Sequence, residues 1–223
     1  VNTFAFTLLV AVAGPTDAEW AAIEACPQVS VPDSSTGTGV VIGQKDDRAY
    51  LLTAAHVVPL DGVVIRFTTR EKYPAAVWSV GSPTAEVVAR WPDPDVALVR
   101  LAVPKDRTLR VLPLAGPGQR PKRFPFDGRS VGLTPGDNGL AATARAERVL
   151  AKRFVRRPGR EPAFFWETQD PPEPGRSGGP LLDDAGRVIG LCAANRDGRG
   201  YFTHLDEILA ALKRDGHGWL VGP

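Results

Sequence analysis

Methionine is absent from this 223-residue chain, and cysteine occurs only twice, at Cys26 and Cys192. Two cysteines cannot build a disulfide framework, and with the three histidines they show no metal-ligand spacing. One Cys26–Cys192 bridge and two separate buried thiols both stay open. A chain without an initiator methionine is read as processed, excised from something longer, or translated from an alternative start codon. A dominant charge sign is also missing: 27 basic and 25 acidic side chains leave a formal net charge of +2, which by itself selects no partner. No apolar run reaches bilayer length, so no stable membrane span is expected. There is no internal repeat, phosphate-binding loop or dinucleotide fingerprint, and nothing calls for a cofactor.

Apolar residues make up 43% and charged residues 23%, the balance of an ordinary globular protein. The length suits one large or two small domains with a sizeable core. Gly 23 and Pro 21 make the chain turn-rich without reaching the roughly 25–30% that marks disorder. Short β-branched and aliphatic runs recur between turn signals: Val29–Val31, Gly39–Ile42, Tyr50–Thr53, Val63–Phe67, Val87–Ala89 and Val96–Leu101. A second series follows: Ser130–Leu133, Leu140–Thr143, Phe164–Glu167, Pro180–Leu182, Arg187–Ala193 and Gly200–His204. That spacing predicts an all-β sandwich or barrel, and Asn138-Gly139 reads as a hairpin turn.

Helices are few. Thr16 and Glu19 have capping-box spacing for a short helix over Asp17–Ala25, ended by Pro27. Leu205, Ile208, Leu209 and Leu212 recur at helical spacing before Gly216, which predicts a terminal helix. Leu112–Arg123 is the best inter-domain linker. Ahead of all this, Phe4–Ala13 is a ten-residue apolar stretch ending in Ala11-Val12-Ala13, a small-residue cleavage pattern. Residues 1–13 are read as a signal peptide or a first strand. Export to the periplasm or medium is preferred, although no Lys or Arg precedes the stretch and a cytoplasmic location stays open.

Three separated segments carry chemistry. In Gly175-Arg176-Ser177-Gly178-Gly179-Pro180-Leu181, glycines hold a serine on a tight turn where a substrate carbonyl can approach. The Gly175 and Ser177 amides can converge on a developing oxyanion. A serine hydroxyl needs a base, and His56 in Leu51-Leu52-Thr53-Ala54-Ala55-His56-Val57-Val58 is the obvious one. Asp95, opening the strand Asp95-Val96-Ala97-Leu98-Val99, is placed to orient that imidazole. Taken singly, a histidine after a strand, an aspartate before one and a glycine-rich loop all have ordinary structural readings. Their order and spacing carry the functional one.

Those segments, "LLTAAHVV", "DPDVALVRL" and "PGRSGGPLLDDAGRVIGL", resemble the histidine, aspartate and serine segments of trypsin-like serine proteases. "TGTGVVI" and "PGxSGGPL" are most similar to the bacterial HtrA-like branch, over roughly residues 29–205. The resemblance implies two packed six-stranded antiparallel β-barrels with a C-terminal α-helix. On that reading, 14–28 is an N-terminal helix or extension. The first barrel, carrying His56 and Asp95, spans 29–115. The second, with Ser177, spans 116–205, and 206–223 is the terminal helix. The branch's PDZ domain is missing, so its trimeric assembly is not carried over. It also implies catalysis by His56, Asp95 and Ser177 with an oxyanion hole of Gly175 and Ser177 amides.

Two departures matter. Arg176 replaces the aspartate or asparagine that commonly precedes the serine. It is expected to pair with Glu173 or to perturb the hole, and it cannot receive a newly cleaved N-terminus. By resemblance, Ala193, Ala194, Asn195, Gly200, Tyr201 and Phe202 wall the specificity pocket, with Pro171 and Cys192 toward its base. With no carboxylate at that base, a small or medium apolar residue is expected at P1, the residue whose carbonyl is attacked. A register shift would bring in Asp170 and favour Lys or Arg. Asn195 and the following backbone would pair with an extended substrate.

Charge is unevenly spread: residues 112–160 hold 11 basic and 3 acidic side chains. The run Lys152-Arg153-Phe154-Val155-Arg156-Arg157-Pro158-Gly159-Arg160 offers five cations and an aromatic. Nucleic acid or anionic lipid could use them, but no nucleic-acid fold accompanies them. A solvated hairpin with Phe154 and Val155 packed inward is the preferred reading. His204 and His217 are expected to be structural or exposed. The chain as a whole reads as a serine endopeptidase acting on polypeptides through an acyl-enzyme. The alternatives are a pseudoprotease that binds peptides in the same cleft, and the protease domain of a larger regulatory protein.

Overall fold

The computed structural model describes residues 14–73, 78–136 and 139–221. The apolar stretch at 4–13 and Asn138 of the expected hairpin turn lie outside them. Helix α1 (Asp17–Glu24) has the local chemistry its sequence predicts. Thr16 Oγ1 accepts the Glu19 amide at 3.3 Å, and Glu19 Oε2 accepts the Thr16 amide at 2.7 Å. The reciprocal pair satisfies two donors that a helix start otherwise leaves open.

Seven strands follow: β1 (Gln28–Val31), β2 (Ser35–Lys45), β3 (Arg48–Thr53), β4 (Val64–Phe67), β5 (Trp78–Gly81), β6 (Ala85–Trp91) and β7 (Val96–Ala102). They form one antiparallel sheet in the order β5-β4-β1-β2-β3-β7-β6. The expected first unit of six strands is therefore corrected to seven. The addition is β5, whose four residues WSVG are too short and too mixed to register as an apolar run. It pairs with β4 through Ile65 and Val80.

The second unit holds β8 (Phe126–Gly136), β9 (Gly139–Val155), β10 (Ala163–Thr168), β11 (Pro180–Leu182), β12 (Val188–Arg196) and β13 (Arg199–His204). It closes into a six-stranded barrel in the order β10-β13-β12-β11-β8-β9. Between the two units, residues 103–125 hold no helix or strand beyond an isolated bridge, Leu114 to Val188, and Leu112 and Ala115 hydrogen-bond to Val41 and Val188 of the two units.

Period-2 alternation joins the units. Val41, Leu51, Ala97 and Val99 point into a core belonging to the first sheet. Their neighbours Val40, Ile42, Leu52, Val96 and Leu98 pack in a second core with Val131, Leu133, Trp166, Leu181 and Phe202 of the barrel. Burial on both faces explains why β2, β3 and β7 read as continuous apolar runs. Leu52 and Leu98 are fully buried, and truncating either to Ala removes about 2–5 kcal/mol.

The chain ends in helix α2 (Leu205–Arg214), whose buried residues face the barrel strands. Its C-terminus closes by a 6→1 bond from His217 N–H to the Leu212 carbonyl (2.7 Å), with Gly216 N–H reaching Lys213 O (3.3 Å). Trp91 Nε1 donates to Asp215 Oδ2 at 2.7 Å, tying the first sheet to the end of this helix.

Candidate active site

His56 lies in a 3₁₀ turn (Ala55–Val57) directly after β3, and Asp95 lies directly before β7, the strand that pairs with β3. Adjacent strands thus bring two residues 39 apart in sequence into contact. Asp95 Oδ2 is 2.7 Å from His56 Nδ1, and Oδ1 accepts the His56 amide at 3.0 Å. A carboxylate oxygen facing Nδ1 suits the tautomer in which Nδ1 donates to Asp95, the arrangement that turns Nε2 of a neutral ring into an acceptor. The His56 side chain is 47% exposed and that of Asp95 6%, which leaves a reachable base over a sheltered acid. Asp95 sits at φ 61°, left-handed space that aspartate tolerates better than most residues. Arg157 Nη1 reaches within 3.6 Å of Asp95 Oδ2 from the second unit.

The serine loop is two consecutive turns. Arg176 N–H donates to the Glu173 carbonyl (3.2 Å), and Gly179 N–H to the Arg176 carbonyl (2.9 Å). Pro174 fixes a negative φ at the first central position and Gly175 has φ +95°, the combination of a type II turn. Gly178, at φ +82°, holds the corresponding place in the second turn, with Ser177 just before it. Among the described residues, the amides of Gly175 and Ser177 and the Ser177 hydroxyl have no hydrogen-bond partner.

The loop seats against the His56 end of the first sheet. Ser177 O accepts the Thr38 amide at 2.8 Å. Beside it, a Cβ on Gly178 would lie 2.3 Å from Thr53 Oγ1 and 2.7 Å from the Ala54 amide nitrogen, so no side chain fits. Thr38, which sequence reading missed, is the hub. Its hydroxyl donates to the Gly175 carbonyl (2.8 Å) and accepts the Leu133 amide (2.9 Å), while its own carbonyl accepts from Thr53 Oγ1 (2.7 Å). The Arg176, Gly178 and Gly179 amides are spent on Glu173, Cys192 and Arg176 carbonyls, which leaves those of Gly175 and Ser177 unpaired among the described residues. The only sequence signal of Thr38 was its place between Gly37 and Gly39.

Arg176 corrects an expectation. It neither pairs with Glu173 nor enters the hole; it is 2% exposed and fills the barrel interior. Nη2 donates to Ser130 O (3.0 Å) and Ser130 Oγ (2.8 Å), and Nη1 to Thr143 Oγ1 (3.0 Å), Thr134 Oγ1 (3.3 Å) and Gly132 O (3.3 Å). Ser130 Oγ in turn donates to the buried Glu147 carboxylate at 2.6 Å. Desolvation first, and Arg145 second, push the Arg176 pKa below the usual guanidinium value.

Around the expected pocket, Ala193 lines the cleft beside His56. Ala194 is half-buried, and Asn195, Pro171 and Asp170 are exposed. Cys192 and Phe202 lie in the core beneath this edge, 2% and 0% exposed. Cys26 and Cys192 are free thiols, so the bridge is not formed, and burial pushes Cys192 up to about 12. His204 is structural: its Nδ1 accepts the Asp206 amide (3.0 Å) at the start of α2, and its ring packs 4.1 Å from Trp166. Burial, with Lys152 and Arg120 nearby, pushes its pKa down to about 3, so its 3.4 Å approach to Asp206 Oδ2 is not an ion pair at neutral pH. The basic run divides. Lys152 to Val155 end β9 and pair with β10, with Phe154 outside in a tilted contact with Phe164 rather than packed inward. Residues 156–160 turn toward the cleft.

Two β units, a His–Asp pair on one, and a glycine-framed serine with two unspent amides on the other define the serine-type endopeptidase class. The chain belongs to the trypsin-like peptidase family, whose domain description matches residues 37–191. Among solved structures, the active form of the Rv3671c protease from M. tuberculosis is similar at a TM-score of 0.66 and 24% identity, covering 97% of this chain and 94% of that one. Deg5 is similar at 0.65 and 18%, covering 84% and 87%. The HtrA-type protease AlgW with a tripeptide is similar at 0.63 and 21%, covering 86% of this chain and 60% of that one. No curated protein matches.

Proposed function

We propose that this protein hydrolyses peptide bonds through an acyl-enzyme on Ser177. Ser177 Oγ attacks the scissile carbonyl carbon while His56 Nε2 takes its proton. Asp95 holds the imidazole by Nδ1–H and stabilises the cation that forms. The Gly175 and Ser177 amides receive the tetrahedral oxygen, a contribution of about 3–4 kcal/mol in comparable sites. Collapse expels the amine, which His56 protonates, and a water molecule repeats the sequence to release the acid. The observation that carries this reading is the 2.7 Å His56–Asp95 pair at the seam where the serine loop docks.

The peptide-binding alternative drew its support from Arg176, and a guanidinium turned into the barrel no longer favours it. For P1, the small side chains of Ala193 and Ala194 and the exposed position of Asp170 favour a small or medium apolar residue. Export fits the apolar stretch at 4–13 and the Ala11-Val12-Ala13 pattern. The test is peptide-library cleavage profiling of the wild type beside Ser177→Ala. Cleavage after small apolar residues, lost in the variant, is expected; cleavage that survives the substitution contradicts the reading.

A further inference from the structure

The basic run in the second half of the chain was assigned no task by the fold or by the catalytic reading, yet it ends beside His56. A cleft of about 590 Å³ is lined by His56, Asp95, Arg90, Arg157, Arg160 and Ala193. A neighbouring cleft of about 620 Å³ shares Arg157 and Arg160 and extends to Arg196. Both flank an open sheet edge. β11 is three residues long and pairs with β12 only as far as Leu191. Beyond Cys192, residues 194–196 of β12 therefore pair with β13 on one side alone. An extended peptide added there by strand augmentation runs from the Ser177 end, past Ala193, toward Arg196.

The charges along that path are unequal. Among the described residues that line the cleft beside His56, the only carboxylate is Asp95, which is 5% exposed and already engaged by His56 and Arg157. Arg157 is a clamp: its Nη2 donates to the carbonyls of Pro92 (2.9 Å) and Asp93, and it lies 5.5 Å from the Phe165 ring. Arg90 donates to Val58 O (2.7 Å) and pairs with the exposed Asp61 at 2.7 Å. Arg160 is exposed, and among the described residues its side chain has no partner. In the farther cleft Asp93 and Glu161 offset part of the positive charge, and Arg196 pairs with Asp197 at 3.2 Å. Arg156 of the farther cleft is likewise exposed and without a partner among the described residues, but of the two only Arg160 also lines the cleft beside His56.

We propose that Arg160, supported by Arg90 and Arg157, makes this cleft select substrates with an Asp or Glu two or three residues before the cleaved bond, at P2 or P3. The proposal rests on the protease reading and gives it a substrate class. Arg160 is a specificity residue and takes no part in bond making.

The test compares matched fluorogenic peptides with Glu, Gln or Lys at P2 and P3, for wild type, Arg160→Glu and a remote control of the same charge change, Lys213→Glu. Exposed charge pairs are worth up to about 1 kcal/mol each, so wild type prefers Glu over Gln in kcat/KM by about threefold to tenfold at low salt. The preference shrinks at 1 M salt, where screening acts over about 3 Å. Arg160→Glu abolishes or inverts it, and Lys213→Glu leaves it in place. Equal Glu, Gln and Lys rates in wild type, or ratios unchanged in Arg160→Glu, overturn the proposal while leaving the protease reading standing. No cleavage of any peptide, with no fluorophosphonate labelling, overturns the protease reading and this proposal together.

Discussion

Thr38 of the first sheet donates its hydroxyl to the Gly175 carbonyl of the second unit at 2.8 Å and accepts the Leu133 amide at 2.9 Å. One side chain thereby sets the orientation of the peptide that follows Gly175 and couples the loop to β8. Its main chain adds the 2.8 Å bond to Ser177 O. The shape of the serine loop thus depends on a residue 137 positions away.

Thr38→Val keeps the shape but removes the hydroxyl, leaving a buried amide and carbonyl without partners at a cost of about 1–3 kcal/mol. Steady-state kinetics are expected to show kcat lowered about tenfold or more with KM nearly unchanged, because the effect falls on the oxyanion. Thr38→Ser should restore most of the rate. Equal rates for the Val and Ser variants would sink the role assigned to the hydroxyl.

Arg176 holds the barrel interior together from the position next to Ser177. Arg176→Met fills similar space but strands the Ser130, Thr143 and Thr134 groups and weakens the setting of Glu147. Urea unfolding should show a loss of about 2–4 kcal/mol, since several buried polar groups lose a charged donor at once. A loss below about 0.5 kcal/mol, the scale of an inert surface change, would place the guanidinium outside the network.

His204 makes folding pH-dependent. Its folded pKa, about 3, lies below the unfolded value of about 6.5. The stability it contributes as a neutral ring is complete above pH 6.5 and is lost as pH falls toward 3, by up to about 1.4 kcal/mol per pH unit. His204→Asn can still cap α2 but does not titrate. Its melting temperature should fall less between pH 7 and pH 4 than that of wild type, and parallel falls would assign the acid lability elsewhere.

Cys26 and Cys192 are separate and buried, and burial raises both thiol pKa values. A thiol reagent should therefore react with neither in the native protein and with two equivalents after unfolding. Reductant should leave the melting temperature unchanged. Fast native labelling, or a reductant-dependent melt, contradicts the structure.

The features legible in the sequence are those written locally. The Thr16–Glu19 cap, the helix after Thr203 and the three segments around His56, Asp95 and Ser177 each occupy a few consecutive residues. Features made by distant partners were not legible. Arg176 reads as a surface cation because nothing near it in sequence reveals Ser130 and Thr143, 46 and 33 residues earlier. Thr38 looks like one polar residue in a strand. β9 was read over Leu140–Thr143 alone, although it runs from Gly139 to Val155, because its charged half is held by pairing with β10 rather than by apolar alternation. The arginines at the cleft read as a solvated hairpin until the fold set them beside His56.

The central claim is that Ser177 is a nucleophile activated by His56. Its most direct test is reaction of the folded protein with a fluorophosphonate, followed by mass spectrometry of the adduct. The account predicts one covalent adduct per chain, mapped to Ser177, absent in Ser177→Ala and formed at least a hundredfold more slowly in His56→Ala, on the scale of general-base contributions. Folded wild-type protein that never forms the adduct, or an adduct that persists in Ser177→Ala, would contradict it.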